Sequence, residues 1–259
     1  MSAFFRSDDT SLGRLHPSVR LVVFALACAP PLIVEDPVPM LAIWAILAAV
    51  GVATGAGANL WRSRGLVAVF LAVTLVLWTA FRRGSDTPYF VVGPFAPSRE
   101  SMSYGLAMGL RLVAFLTAAI VYLTSTRIED VSYGMERLGL PYRVAFTLSL
   151  AFRLTPLFLE NAGIVAEAQR SRGLDVDRGG WATRMRAYAA IVAPVLIAAL
   201  RQADGMAVAL EARGFGASTK RTRMDAPQLG WRDALWTASA ALLTGATIAW
   251  RAYAPGLFG

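Results

Sequence analysis

This 259-residue chain has one cysteine (Cys28), one histidine (His16) and one lysine (Lys220). A lone thiol cannot close an internal disulfide, and one imidazole with one thiol cannot assemble a zinc or iron set, so neither a metal nor another cofactor is expected. The lysine is equally informative. A phosphate-binding loop needs Gly-Lys followed by Ser or Thr so that the amine reaches the phosphates. Lys220 instead lies in STKRTR (Ser218 to Arg223), so the chain is not expected to bind or hydrolyse ATP. Charge is scarce as well: 16% of residues are charged and 56% are hydrophobic, with a mean hydropathy of +0.51. Soluble domains carry roughly 25% charge, so this composition reads as a membrane protein. The formal charge of +8 is almost wholly arginine. In a membrane protein such an excess flanks the bilayer, so the KRTR cluster at Lys220 is read as a flank and no nucleic-acid partner is expected.

The missing charges also map the spans, because a crossing needs roughly 20 mostly apolar residues. Uncharged runs place spans at about 17–34, 38–58, 65–82 and 103–125, with a last one inside 231–259. The first carries Pro30-Pro31 and is short enough to cross thinly or bent. The fold class is therefore an all-α integral membrane protein with about five crossings. The opening MSAFFRSDDTSLGRLHPSVR is polar and holds two aspartates, unlike a secretory signal, so the first span stays. Arg6, Arg14 and Arg20 precede span one, the acidic VEDPVPM follows it, and Arg62 and Arg64 follow span two. Positive-inside reasoning puts the N-terminus in the cytoplasm and the C-terminal tail outside a multi-pass chain of the cell (inner) membrane. Arg111 lies well inside an apolar run, within SYGLAMGLRLVAFLTAAIVYLTS. An arginine near mid-bilayer costs about 2.5–3.5 kcal/mol, so it requires a structural partner, a route to the interface or an intramembrane role. One cysteine, one arginine and no carboxylate in the spans are too few groups for an intramembrane enzyme.

Residues 126–230 are different, with helical patterns interrupted by regularly spaced charges. They read as three helices at the cytoplasmic surface. The first, about Arg127 to Leu138, has Thr126 as a cap with Glu129 in capping-box register, and Gly139 and Pro141 stop it. The second runs from about Val144 to Arg172, with Arg153, Glu160 and Glu167 on one stripe and Pro156 able to kink it. The third runs from about Tyr188 to Arg213, bent or broken at Pro194, with Arg201, Asp204 and Glu211 on one side. These two close on AQRSRGLDV and ALEARGFG, an Arg-Gly pair at each end about forty residues apart. Glycine past the last helical residue takes the left-handed conformation that ends a helix, and each arginine presents a fork able to grip a carboxylate bidentately.

HPSVRL (His16 to Leu21), GLRLVAF, TSTRIEDV, ERLGLP, LAFRLTPLFLENAGIVAEAQRSRGLD and ADGMAVALEARGFG follow one another along most of the chain. This succession resembles the transmembrane T component of energy-coupling factor transporters, the micronutrient importers of the ABC class. The family's opening is Asp-Pro-x-Thr-Lys-Leu, with Arg20 standing here where lysine is common. Its two Ala-Arg-Gly signatures fall on Ser171-Arg172-Gly173, with serine in place of alanine, and on Ala212-Arg213-Gly214. The resemblance implies that the helices carrying these six residues dock on two cytoplasmic ABC ATPase subunits, which hydrolyse the ATP. It further implies one small membrane-embedded substrate-binding subunit, which chooses among vitamins or transition-metal ions while this chain couples it to the ATPases. The alternative within the same class is a conventional ABC permease carrying substrate through its own pore.

Overall fold

The computed structural model describes residues 12–81, 98–174, 180–217 and 229–253, and every regular element among them is helical. The helices are α1 (Pro17–Ile33), α2 (Pro37–Ala53), α3 (Gly57–Arg62), α4 (Arg64–Phe81), α5 (Arg99–Ser125), α6 (Ile128–Arg137), α7 (Tyr142–Ser171), α8 (Trp181–Ala212) and α9 (Trp231–Tyr253). The protein is an all-α, multi-pass membrane protein. By length and composition α4, α5, α7 and α8 are long and apolar enough to cross a membrane, and α1 and α2 are shorter apolar helices of 17 residues. At 1.5 Å per residue, 17 residues reach about 26 Å, a little less than the hydrocarbon core.

The chain divides into two compact units, Met1–Tyr142 with Pro227–Gly259, and Arg143–Ala226. In the first unit α5 packs on α1, α2, α3 and α4, while α1 packs on α2, α5, α6 and α9. α6, grouped above with the cytoplasmic helices, thus lies on α1. Small residues permit the close approaches, as at other helix crossings in membranes. A Cβ on Gly105 would stand 3.2 Å from the Leu75 carbonyl, and one on Gly109 would stand 3.4 Å from that of Leu71, which seats α5 against the backbone of α4. Gly134 does the same for α6 on α1, where a Cβ would stand 2.9 Å from the Pro17 carbonyl oxygen.

Several local expectations are corrected. α8 runs unbroken through Pro194, so the break allowed for there is absent, and α1 and α7 are likewise continuous through Pro30, Pro31 and Pro156. The uncharged run 38–58 is not one helix, because Gly55 adopts a φ of 90° and closes α2 before α3 starts. α6 takes Arg127 rather than Thr126 as its N-cap, with no side-chain cap, and the Glu129 side chain lies outside the described residues. The reciprocal box is on α5 instead, where Ser98 and Ser101 cap each other's backbone N–H. α8 starts at Trp181, seven residues before the expected Tyr188, because Gly180 rather than a proline or charge marks its beginning. Lys220 to Arg223, Arg6 and position 82 lie outside the described residues.

In the second unit α7 and α8 meet at two places. The Phe146 and Phe215 rings lie 4.5 Å apart at 40°, and the Gln169 side-chain amide donates to the Ala190 carbonyl at 3.4 Å. The start of α7 therefore faces the end of α8, and the end of α7 faces the first third of α8. The apolar stretches of both helices are 0% buried, leaving Leu159, Ile164, Leu196 and Val208 outward.

Candidate functional site

Both Arg-Gly pairs end their helices by one geometry. Gly173 has a φ of +87° and Gly214 a φ of +71°, in the region a side chain resists. The Gly173 N–H donates to the Arg170 carbonyl at 2.9 Å and the Leu174 N–H to that of Gln169 at 3.0 Å. The Gly214 N–H donates to Glu211 at 2.8 Å and the Phe215 N–H to Leu210 at 2.9 Å. This is the paired Schellman closure, with an apolar residue after the glycine. Two other helices close identically: α2 through Thr54-Gly55-Ala56 and α6 through Leu138-Gly139-Leu140. At the position before the glycine these helices hold threonine and leucine. The same closure thus forms with threonine, leucine or arginine before the glycine.

What the arginines do have is exposure. Arg172 and Arg213 are both exposed, and neither guanidinium has a hydrogen-bond or ion-pair partner among the described residues. Ser171 turns its hydroxyl back to donate to the Glu167 carbonyl at 3.1 Å, so it presents no more outward polarity than Ala212 does at the matching place. A Cβ on Gly173 or Gly214 would meet nothing within 4 Å, so close approach by another chain is open at both. The hairpin geometry separates the two. Arg172 lies one turn past Gln169, which touches Ala190, and Arg213 lies 23 residues further along α8. At 1.5 Å per residue that is on the order of 30 Å. The arrangement offers, among the described residues, two exposed and unpartnered guanidinium forks at the two ends of one helical hairpin.

The sequence profile of the CbiQ family, described as cobalt transport protein, matches residues 8–224. The chain belongs to the CbiQ family. An energy-coupling factor transporter transmembrane protein EcfT of Brevibacillus brevis is 30% identical over 176 residues, 64% of this chain and 66% of that one. The EcfT of Limosilactobacillus fermentum is 26% identical, with 86% of each chain covered. A Bifidobacterium longum protein named as an ABC transporter ATP-binding protein is 27% identical over 92% of this chain, which spans only 32% of it.

Within this CbiQ-family chain Arg111 of α5 reaches the end of α1. One terminal nitrogen donates to the Val34 carbonyl at 2.7 Å, the other lies 3.4 Å from the Met108 sulfur, and its Nε is buried without a partner among the described residues. Val34 caps the C-terminus of α1, and next to it the Ile33 carbonyl accepts from Arg251 of α9 at 2.7 Å. α1 has no basic residue in its own last turn. Two neighbouring helices supply the positive charge that a helix C-terminus favours.

Arg20 of this CbiQ-family chain holds a connected polar junction. It is 8% exposed. Its Nε donates to the Leu15 carbonyl at 2.9 Å, one terminal nitrogen donates to the Ser125 carbonyl at 3.2 Å and to Asp130 at 3.0 Å, and the other donates to Gly13. It ties the segment before α1 to the end of α5 and to α6. Beside it, the His16 N–H donates to the buried Asp233 carboxylate at 2.9 Å, and Asp233 also accepts from the Gly230 N–H at 2.7 Å. The His16 Nδ1 accepts from the Ser18 hydroxyl at 2.6 Å and from the Ser18 N–H at 3.3 Å, which caps α1. Burial lowers the His16 pKa; Asp233 opposes this, and Arg137 and Arg20 add to it. Sequence reasoning noted HPSVRL and TSTRIEDV but not their junction. The only available signal was a basic residue in one motif and an acidic one in the other.

Proposed function

We propose that this chain is the coupling subunit of an energy-coupling factor importer, holding two cytoplasmic ABC ATPase subunits through Arg172 and Arg213. The observation that carries this reading is the comparison of four helix ends closed by the same glycine geometry. Two of them hold threonine or leucine before the glycine, and the two on the hairpin hold an exposed arginine with no side-chain partner among the described residues. Carboxylates on the partners would fill the forks bidentately, each charge-assisted contact contributing about 1.5–3 kcal/mol. The order-of-30 Å separation suits two partners rather than one pocket. The match to an ATP-binding protein of the ABC class and the EcfT relatives support the pairing with ATPases.

The chain itself does no ATP chemistry, because Gly-Lys-Ser/Thr is missing from its sequence. It passes motion from the ATPases along α7 and α8 to one small membrane-embedded substrate-binding subunit, whose contact surface is the outward apolar side of those helices. The cargo class is a vitamin or a transition-metal ion. In this reading residues 126–230 lie on the cytoplasmic side, the N-terminus is cytoplasmic, and α9 crosses outward.

Co-purification of the ATPases alongside uptake tests it. Arg172→Ala and Arg213→Ala should each leave membrane insertion intact and lower uptake, the double variant being worse and each Arg→Lys intermediate. Full ATPase retention and full uptake by both alanine variants would reduce the pairs to helix caps.

A further inference from the structure

Between α2 and α4, floored by α5, runs an apolar groove of about 660 Å3, within the range of ligand clefts. Leu41, Leu71, Leu106 and Leu110 line it, and its polar members are Trp44, Thr117 and Arg64. Trp44 and Thr117 satisfy each other, the indole N–H donating to the hydroxyl at 3.2 Å, and the Thr117 hydroxyl donates in turn to the Val113 carbonyl at 2.8 Å. Arg64 is thereby the one lining group left to meet a polar ligand. It is exposed, its guanidinium lies 4.4 Å over the Trp61 ring, and it has no carboxylate partner among the described residues.

The register of the helices places this charge at one end. Gly109 of α5 sits against Leu71 of α4. Arg64, seven residues before Leu71 on a helix running opposite to α5, falls two turns nearer the α5 C-terminus, level with Thr117. From Thr117 to Leu106 the groove then runs about 16 Å along α5 at 1.5 Å per residue. That is half of a hydrocarbon core about 30 Å thick, the depth of one leaflet. An Arg-Trp pair beside an apolar trough of that depth matches an amphiphile with one anionic head and an aliphatic body. Basic residues between membrane helices hold lipid phosphates in this way, and Trp61, 70% exposed, is the residue type that settles at headgroup level.

We propose that this groove seats an acyl chain of an anionic phospholipid of the surrounding bilayer, with Arg64 holding the headgroup phosphate. The site fixes a lipid between α2 and α4, where the two helices are joined through α5 and α3.

The test uses the full chain in vesicles of phosphatidylcholine and phosphatidylglycerol. Native mass spectrometry after extraction should find phosphatidylglycerol retained in preference, with retention falling about tenfold in Arg64→Gln and recovering in Arg64→Lys. Equal retention by wild type and Arg64→Gln would overturn the headgroup assignment. The second readout is Trp44 fluorescence, isolated as the difference between wild type and Trp44→Phe, with lipids brominated on the acyl chain. Brominated phosphatidylglycerol should quench that component at a lower mole fraction than brominated phosphatidylcholine does. Equal quenching by both would reduce the groove to ordinary bilayer contact, and no quenching by either would mean that protein fills it; each overturns the proposal.

Discussion

Replacing Arg20 by methionine keeps the aliphatic stem and removes a guanidinium that four groups share. Three of those four are backbone carbonyls, of Gly13, Leu15 and Ser125, and the fourth is the Asp130 carboxylate. Carbonyls cannot leave the site, and each buried acceptor left unpaired costs about 1–3 kcal/mol. Breaking one side of a buried charged contact costs about 3–5 kcal/mol in all, and that is the expected loss here. At about 2–4 °C per kcal/mol for a chain of this size, Tm should fall by about 6–20 °C. Asp130→Asn should behave differently. The Asp130 side chain is 34% exposed, its amide replacement keeps an oxygen for Arg20, and the partly solvated ion pair is worth about 0–1 kcal/mol. Its Tm should stay within about 4 °C of wild type. Arg20→Lys should fall between, since one ammonium cannot reach carbonyls on several sides. Stepwise heating of the detergent-purified chain, read by the surviving monodisperse peak on size exclusion, measures all three. If Arg20→Met melts within 2 °C of wild type, or if Asp130→Asn costs as much, the carbonyl argument fails.

His16 makes stability depend on pH. Its pKa lies below 6.5 in the folded chain because burial disfavours the charged ring. This contribution is fully present above pH 6.5 and is lost as pH falls from there toward the lowered folded value, where the unfolded chain binds the proton first. Tm should therefore drop between pH 7 and pH 5.5 in wild type and drop less in His16→Asn, whose amide caps the helix without titrating; equal slopes would exclude His16 as the cause. Gly134→Ala places a Cβ 2.9 Å from the Pro17 carbonyl oxygen, so the overpacking cost of about 1–3 kcal/mol should exceed the roughly 1 kcal/mol gained in helix propensity. Gly163→Ala on α7, with nothing within 4 Å, should be neutral or stabilising, so its melting curve should not fall below wild type as that of Gly134→Ala should. Gly173→Val and Gly214→Val strain a left-handed residue rather than remove a charge, so they should loosen the ATPases and also fray the helix end, seen as faster hydrogen exchange there, whereas Arg172→Ala and Arg213→Ala should leave exchange unchanged.

The features that local chemistry dictates were legible in advance. Uncharged runs became helices, and the Arg-Gly pairs became helix ends, because a left-handed glycine leaves a sequence mark. The family resemblance on HPSVRL and the two Arg-Gly signatures agrees with the CbiQ match over residues 8–224. The misreadings came from competing local signals. Thr126 and Glu129 have capping-box spacing, yet Thr126 is spent ending α5, two residues before α6 begins. Pro194 suggested a break or a bend, and α8 continues past its missing N–H. Arg20 and Asp233 left no mark of their role, because the partners of Arg20 include a carbonyl 105 residues away and those of Asp233 a backbone N–H 217 residues away.

α1 has a consequence for how the chain is made. Asp233, at the head of α9, accepts from the N–H of the residue that opens α1, and Arg251, at its foot, donates to the carbonyl of the residue that ends it. Midway, the Thr244 hydroxyl donates to the Leu26 carbonyl at 3.1 Å. These contacts bridge 217 and 218 positions. As the ribosome works, α1 enters the bilayer more than two hundred residues before the side chains that complete both of its ends exist. Until then it is a held place in the bundle, and the bundle closes only when α9 slides in beside it.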